Sequence, residues 1–167
     1  MDPPVTEGPS DGGFFKAGDI ISFSTTAMDV EGTLPASAYT WNIDFLHNTH
    51  VHPSTPLVGV TSGSFTVPTT GHDFSGNTRY RITLTVTDSD GLQTNQSAIV
   101  WPEKVNLTFA STPPGQTLYL DGIAHAAPFV YDTLIGFNHV IQAADQILEG
   151  ATYTFASCPS LTVRTLK

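Results

Sequence analysis

Residues 79 to 87 read Arg-Tyr-Arg-Ile-Thr-Leu-Thr-Val-Thr, a strict alternation that restricts what this stretch can become. In an extended chain Tyr80, Ile82, Leu84 and Val86 share one face, whereas a helix of period 3.6 would scatter them around its circumference. Tyr39, Trp41, Ile43 and Phe45 repeat the pattern. Two strands that are apolar on one side only must be covered by a second apolar layer, and sheet on sheet is the simplest way to supply it. Ile20 to Ala27, Gly63 to Val67 and Thr94 to Trp101 are further strand-like runs, and Asp88-Ser89-Asp90-Gly91 supplies turn chemistry between two of them. Charged residues are only 13% of the chain, while 14 Gly and 12 Pro provide frequent turns, so long helices are not expected. About seven short strands in ~100 residues is the pattern of an immunoglobulin-like sandwich, assigned to residues 14–101.

A second pattern follows Pro102-Glu103, which reads as a hinge. Val105 to Phe109, Thr117 to Leu120, Pro128 to Tyr131, Phe137 to Ile141 and Thr152 to Ala156 are short strand candidates separated by Pro113-Pro114-Gly115 and Asp121-Gly122 turns. Residues 104–167 are therefore expected to form a smaller β-sandwich-like module, giving an all-β chain of two modules in series. Residues 1–13 carry Pro, Gly and Asp without periodicity and read as a flexible lead-in.

Cys158 is the single cysteine, so stability must come from packing rather than from an internal disulfide. No apolar run approaches the ~20 residues needed to span a bilayer, so no membrane partner is expected. Met1-Asp2-Pro3-Pro4 lacks the basic and apolar regions of a signal peptide. The formal charge of −9 repels phosphate backbones and anionic surfaces, which argues against nucleic acid, and it concentrates cations.

Chemistry concentrates in His47-Asn48-Thr49-His50-Val51-His52-Pro53, which holds three of the chain's six histidines. Neutral imidazole is the commonest protein metal ligand. On one regular strand His50 and His52 project from one face and His47 from the other, so convergence requires a bend, for which Asn48-Thr49 is the natural place. A fourth ligand can come from His72-Asp73 or from Asp44. With three imidazoles and an open position, zinc would acidify bound water enough to attack an ester or lactone, and Asp44 or Asp73 would be the candidate catalytic carboxylate that orients an imidazole or takes a proton. A second candidate cation site, for calcium, is formed by Asp29, Glu31, Asp88 and Asp90, with turn capping as the ordinary alternative. Trp41 and Tyr80 are expected in the core, and Trp101, Tyr119 and Tyr131 are candidates for stacking against sugars if exposed. His125 and His139 read as isolated. No Gly-x-Ser-x-Gly elbow, phosphate loop or His-Glu-x-x-His helix is present, and no organic cofactor is expected.

The order Ala17-Gly18-Asp19, Leu34 to Ala38 before Trp41, the His47 to Pro53 run, and Tyr80 through Leu92 resembles PKD-type immunoglobulin-like modules, specifically those appended to secreted bacterial glucose/sorbosone dehydrogenase-like proteins. Val105 to Ala110, Pro113-Pro114-Gly115, Leu118 to Gly122 and Thr152 to Ser157 are similar to the small β module that follows in such proteins. The resemblance covers 14 to about 157 and implies a secreted or periplasmic parent protein. Cys158 to Lys167 departs from the pattern and reads as a truncated or altered end that leaves the second module a strand short, so edge-strand pairing into a homodimer is expected.

The leading functional expectation is a non-catalytic accessory or binding module with a metal site, its partners being polysaccharide or protein. The alternatives are a small metal-dependent hydrolase of esters or lactones, such as acyl-homoserine lactones, and a calcium-stiffened adhesion module.

Overall fold

The computed structural model describes residues 5–7, 12–29 and 32–154. Eleven strands build the first module: β1 (Val5–Glu7), β2 (Gly13–Phe15), β3 (Ile20–Thr26), β4 (Met28–Asp29), β5 (Gly32–Thr33), β6 (Tyr39–His47), β7 (His50–Pro53), β8 (Leu57–Val58), β9 (Ser62–Thr66), β10 (Thr78–Thr87) and β11 (Gln93–Pro102). One sheet runs β1-β3-β9, and the other runs β2-β11-β10-β6-β7 with β8 also paired to β6. All of these pairings are antiparallel except β2 on β11. The chain thus crosses from one sheet edge to the other between β1 and β2, as in an immunoglobulin-like sandwich.

The expected alternation is realised. Tyr39, Trp41, Ile43 and Phe45 of β6 and Tyr80, Ile82, Leu84 and Val86 of β10 are all buried, and they form one core with Phe15, Ile21, Phe23, Val67 and Phe74. Phe23 of the facing sheet meets Trp41 at 4.6 Å between ring centroids. Burying each such side chain stabilises the fold by about 1.5–3 kcal/mol, so this layer is what fixes the register of both sheets.

The small module contains β12 (Lys104–Phe109), β13 (Thr117–Leu120), β14 (Ile123–Ala126), β15 (Phe129–Leu134), β16 (Ile141–Ala143), β17 (Gln146–Leu148) and β18 (Ala151–Tyr153). They pair as β12-β15, β14-β13-β16 and β17-β18, all antiparallel. Phe109, Leu120, Ala127, Thr133 and Leu134 are its buried residues.

Three expectations change. Part of the lead-in is structured, because Val5–Glu7 pairs with Ser24 to Thr26 and extends the smaller sheet. The run from Phe137 to Val140 is not a strand, although Ile141 begins one. Its backbone donors are committed elsewhere: the Asn138 N–H donates to the Thr69 carbonyl at 2.8 Å and the Val140 N–H to Asp121 Oδ1 at 2.7 Å. The Pro102-Glu103 joint is tied on both sides. The Glu103 N–H donates to the Phe15 carbonyl (2.8 Å), its own carbonyl accepts from Ile135 N–H (2.9 Å), and the Ala17 N–H donates to the Ile135 carbonyl (2.9 Å). Leu134 of the small module also enters the core of the large one. Residues 155–167, where Cys158 and the expected truncated end fall, lie outside the described residues, as does Glu31.

Candidate metal centre

The turn between β6 and β7 decides the geometry. Asn48, a residue that tolerates left-handed backbone, adopts φ 52° there, and the chain reverses in two residues. In such a hairpin the residues flanking the loop become cross-strand partners, so His47 faces His50 and Phe45 faces His52. Partners across an antiparallel pair project from the same side of the sheet. His47, His50 and His52 therefore share a face, and the opposition expected of one continuous strand disappears. Their ligand nitrogens all lie within 4.8 Å of one another.

The side they share is also that of the core. Phe45 is buried beneath the rings, with centroids 6.1 Å from His47, 6.1 Å from His52 and 4.5 Å from His72. His72 comes from the segment between β9 and β10. That segment is drawn to the hairpin by Asn48, whose N–H donates to the Asn77 carbonyl (2.8 Å) and whose Oδ1 accepts from the Asn77 N–H (3.1 Å). The centroid separations are 5.1 Å for His47–His50, 4.8 Å for His50–His52, 6.4 Å for His47–His52, 4.8 Å for His52–His72 and 6.0 Å for His47–His72.

These values can be set against a metal. With zinc–nitrogen bonds of about 2.0–2.1 Å, tetrahedral donors stand about 3.3 Å apart and their ring centroids about 5.2 Å apart. The observed rings straddle that spacing, and His50 and His52 are exposed. His47, His50 and His52 form the tight set, and the His72 ring lies beside them with its Nδ1 3.0 Å from the Asp73 carbonyl, which leaves Nε2 as the atom that could bind a metal.

His52 is held below the ordinary histidine range by lost hydration among its neighbours and then by repulsion from His72, His50 and His47. Neutral imidazole is the form that binds metal. Burial alone would raise the Asp73 carboxyl, but hydrogen bonds from the Ser75 N–H and hydroxyl (both 2.7 Å) and the Tyr131 hydroxyl (2.9 Å) outweigh it and hold the group low. Burial, and next the bond to Asp73, push the Tyr131 phenol up to about 12.

The other candidates fall elsewhere. Asp44 occupies an even position of β6, on the opposite side of the sheet from the imidazoles, where Arg81 donates to its Oδ2 at 2.6 and 3.2 Å. It cannot join the cluster as ligand or base. Asp88 lines a cleft together with residues of the segment 32–38. Within it Asp88 Oδ1 caps its own turn, accepting from the N–H groups of Asp90 (2.9 Å) and Leu92 (2.8 Å). Asp29 ends β4, paired with Gly32. Trp41 and Tyr80 are core residues, and Trp101 is exposed with the Arg79 guanidinium 5.5 Å from its ring centroid.

His139 is not isolated. Its Nδ1 pairs with Asp121 Oδ2 (2.6 Å) and its Nε2 with Thr133 Oγ1 (2.7 Å), an arrangement that ties a turn, β15 and the segment before β16. His125 stacks on Phe129 at 4.4 Å. Sequence reading missed both because their partners are 6 and 18 residues away from His139, and 4 from His125, with no local motif. Comparison with family models, curated proteins and solved structures finds no match to this chain. No helix of the described residues is long and apolar enough to cross a membrane.

Proposed function

We propose that this chain is a non-catalytic accessory module of a secreted bacterial protein, and that it holds a divalent transition metal, zinc foremost, through His47, His50, His52 and His72. One observation carries the reading: three imidazole donors within 4.8 Å on one face of a hairpin, with a fourth ring at 4.8 Å from His52. The donor set is all nitrogen, which suits zinc, copper or nickel and does not suit calcium or magnesium. Chain acidity raises the local concentration of any dication.

The test is elemental analysis of tag-free, desalted protein after zinc loading, alongside the His50→Ala variant. Near-stoichiometric zinc in the parent, lost or sharply reduced in the variant, is the expected result. Equal zinc in both, or none in either, refutes the site.

A hydrolase reading has one supporting observation, the exposure of His50 and His52, through which a substrate could approach. It needs a base. Asp73 already accepts three hydrogen bonds and is held in its ionised, weakly basic form, so the accessory reading is favoured. Chelator-sensitive turnover of an ester or lactone that His50→Ala abolishes would reverse this order.

A further inference from the structure

We infer that metal binding at the four imidazoles locks the small β module onto the sandwich, with the segment 67–77 as the shared part. The inference rests on the metal reading above and concerns how that site is coupled to the rest of the chain.

The argument starts from what this one segment touches. On one side His72 meets the candidate centre. On the other side, within a few residues, several groups contact the small module. Thr69 accepts from the Asn138 N–H (2.8 Å), Asp73 accepts from the Tyr131 hydroxyl (2.9 Å), and the Gly76 N–H donates to Asp132 Oδ2 (3.1 Å). Lys104 donates to the Gly76 carbonyl and pairs with Asp132 at 2.7 Å. Between these polar contacts the Phe74 ring packs on Phe137 at 5.4 Å and on Phe45 at 5.0 Å, and Phe74 is 1% exposed. A single phenylalanine thus touches both the floor of the imidazole cluster and the small module.

His72 is next to Asp73 in sequence and lies 6.1 Å from Phe74 between ring centroids, so it cannot move far without disturbing contacts to the small module. Docking of the small module therefore places the fourth imidazole, and capture of that imidazole by metal restrains the docking contacts. Linkage requires the two effects to be equal: whatever docking adds to metal affinity, metal adds to docking. Such couplings typically amount to about 5- to 150-fold in affinity. Tyr131 and Asp132 act here as positioning residues, since neither is a ligand.

The experiment uses the full chain in two measurements. Zinc affinity is determined by competition with a chromophoric chelator for wild type, His50→Ala, His72→Ala and the double variant Tyr131→Phe/Asp132→Asn. The visible spectrum of the cobalt-substituted proteins reports the ligand set. The expected result is a double variant that still binds zinc, but at least about 5-fold more weakly, and whose cobalt band shifts as water takes the position of the fourth imidazole. Hydrogen exchange of wild type, with and without zinc, needs no variant to fold. Zinc should slow exchange in 104–109 and 129–141 of wild type and not in His72→Ala. Wild type that binds zinc through His50, with unaltered exchange in those segments and an unweakened double variant, overturns the coupling while leaving the metal site intact. Failure of wild type to bind zinc overturns both.

Discussion

Gly76→Ala should damage the candidate centre without altering any ligand. Gly76 has φ +70°, and a Cβ built there would stand 2.7 Å from Asn48 Oδ1 and 3.4 Å from its Nδ2. Left-handed backbone costs an L-residue about 1–2 kcal/mol relative to its preferred conformations. The Asn48 amide must also move, which breaks the bond its Oδ1 accepts from the Asn77 N–H at 3.1 Å and adds about 1 kcal/mol. The sum is about 2–3 kcal/mol, and at about 2–4 °C per kcal/mol for a chain of this size the melting temperature should fall by about 5–10 °C. Gly91→Ala is the control. Gly91 has φ +83° with nothing within 4 Å of a built Cβ, so only the backbone term applies, about 1–2 kcal/mol. Displacing Asn48 also loosens the strap between the histidine hairpin and the segment bearing His72, so zinc affinity should fall in Gly76→Ala and stay unchanged in Gly91→Ala. Thermal melts and zinc titrations of the two variants suffice. Equal melting temperatures, or parental zinc affinity in Gly76→Ala, would refute the reasoning.

Three further outcomes follow from separate parts of the structure. Tyr80 and Tyr131 are pushed up from 10.0 to about 12, Tyr80 by burial and Tyr131 by burial and then the Asp73 bond, so the unfolded chain loses these phenolic protons first. Their contribution to stability should be fully present below pH 10 and be lost as pH rises through 12; an absorbance titration in which all five tyrosines ionise together near pH 10 in folded protein would contradict it. Asp88→Ala removes the acceptor for two turn N–H groups and should cost about 1 kcal/mol in urea denaturation, equally with and without millimolar calcium. A calcium-dependent difference would instead support the calcium site. Thr133→Val leaves His139 Nε2 without its buried partner and should cost about 1–3 kcal/mol, and an unchanged urea midpoint would show that the contact contributes nothing.

The parts of this fold that were legible in the sequence are those under one-sided burial. In β6 and β10 every second side chain is buried against the facing sheet, so the pattern carries both the strand and its register. The short strands β5 and β17 have no such face and were not read from the sequence. Phe137, Val140 and Ile141 looked like a strand because apolar spacing does not record where backbone donors go, and here they go to Thr69 and Asp121. The histidine run was evident from composition alone. Its convergence depended on a two-residue reversal at Asn48, and counting positions along one strand gives the opposite answer for His47. The Tyr131–Asp73 contact joins residues 58 apart in sequence, and a single sequence holds no signal for it.

The accessory and hydrolytic readings separate at His72. With His47, His50 and His52 alone, a bound zinc keeps a position for water, and water on zinc ionises near neutral pH. With His72 added the shell is closed, which is the arrangement of structural rather than catalytic sites. Proximity favours the closed form, since His72 stands as near to His52 as His50 does, 4.8 Å in each case. The surroundings favour it too. Phe45 sits under the rings, and Asp73 spends its lone pairs on Ser75 and Tyr131, so that its charge can offset a dication while its basicity is low. What a bound ion would supply is attachment: it would join an edge hairpin of the sandwich to the segment before β10, which in turn contacts the small module. A chain with a single cysteine has no disulfide framework to hold such elements together, and a metal held by imidazoles would perform that task without one.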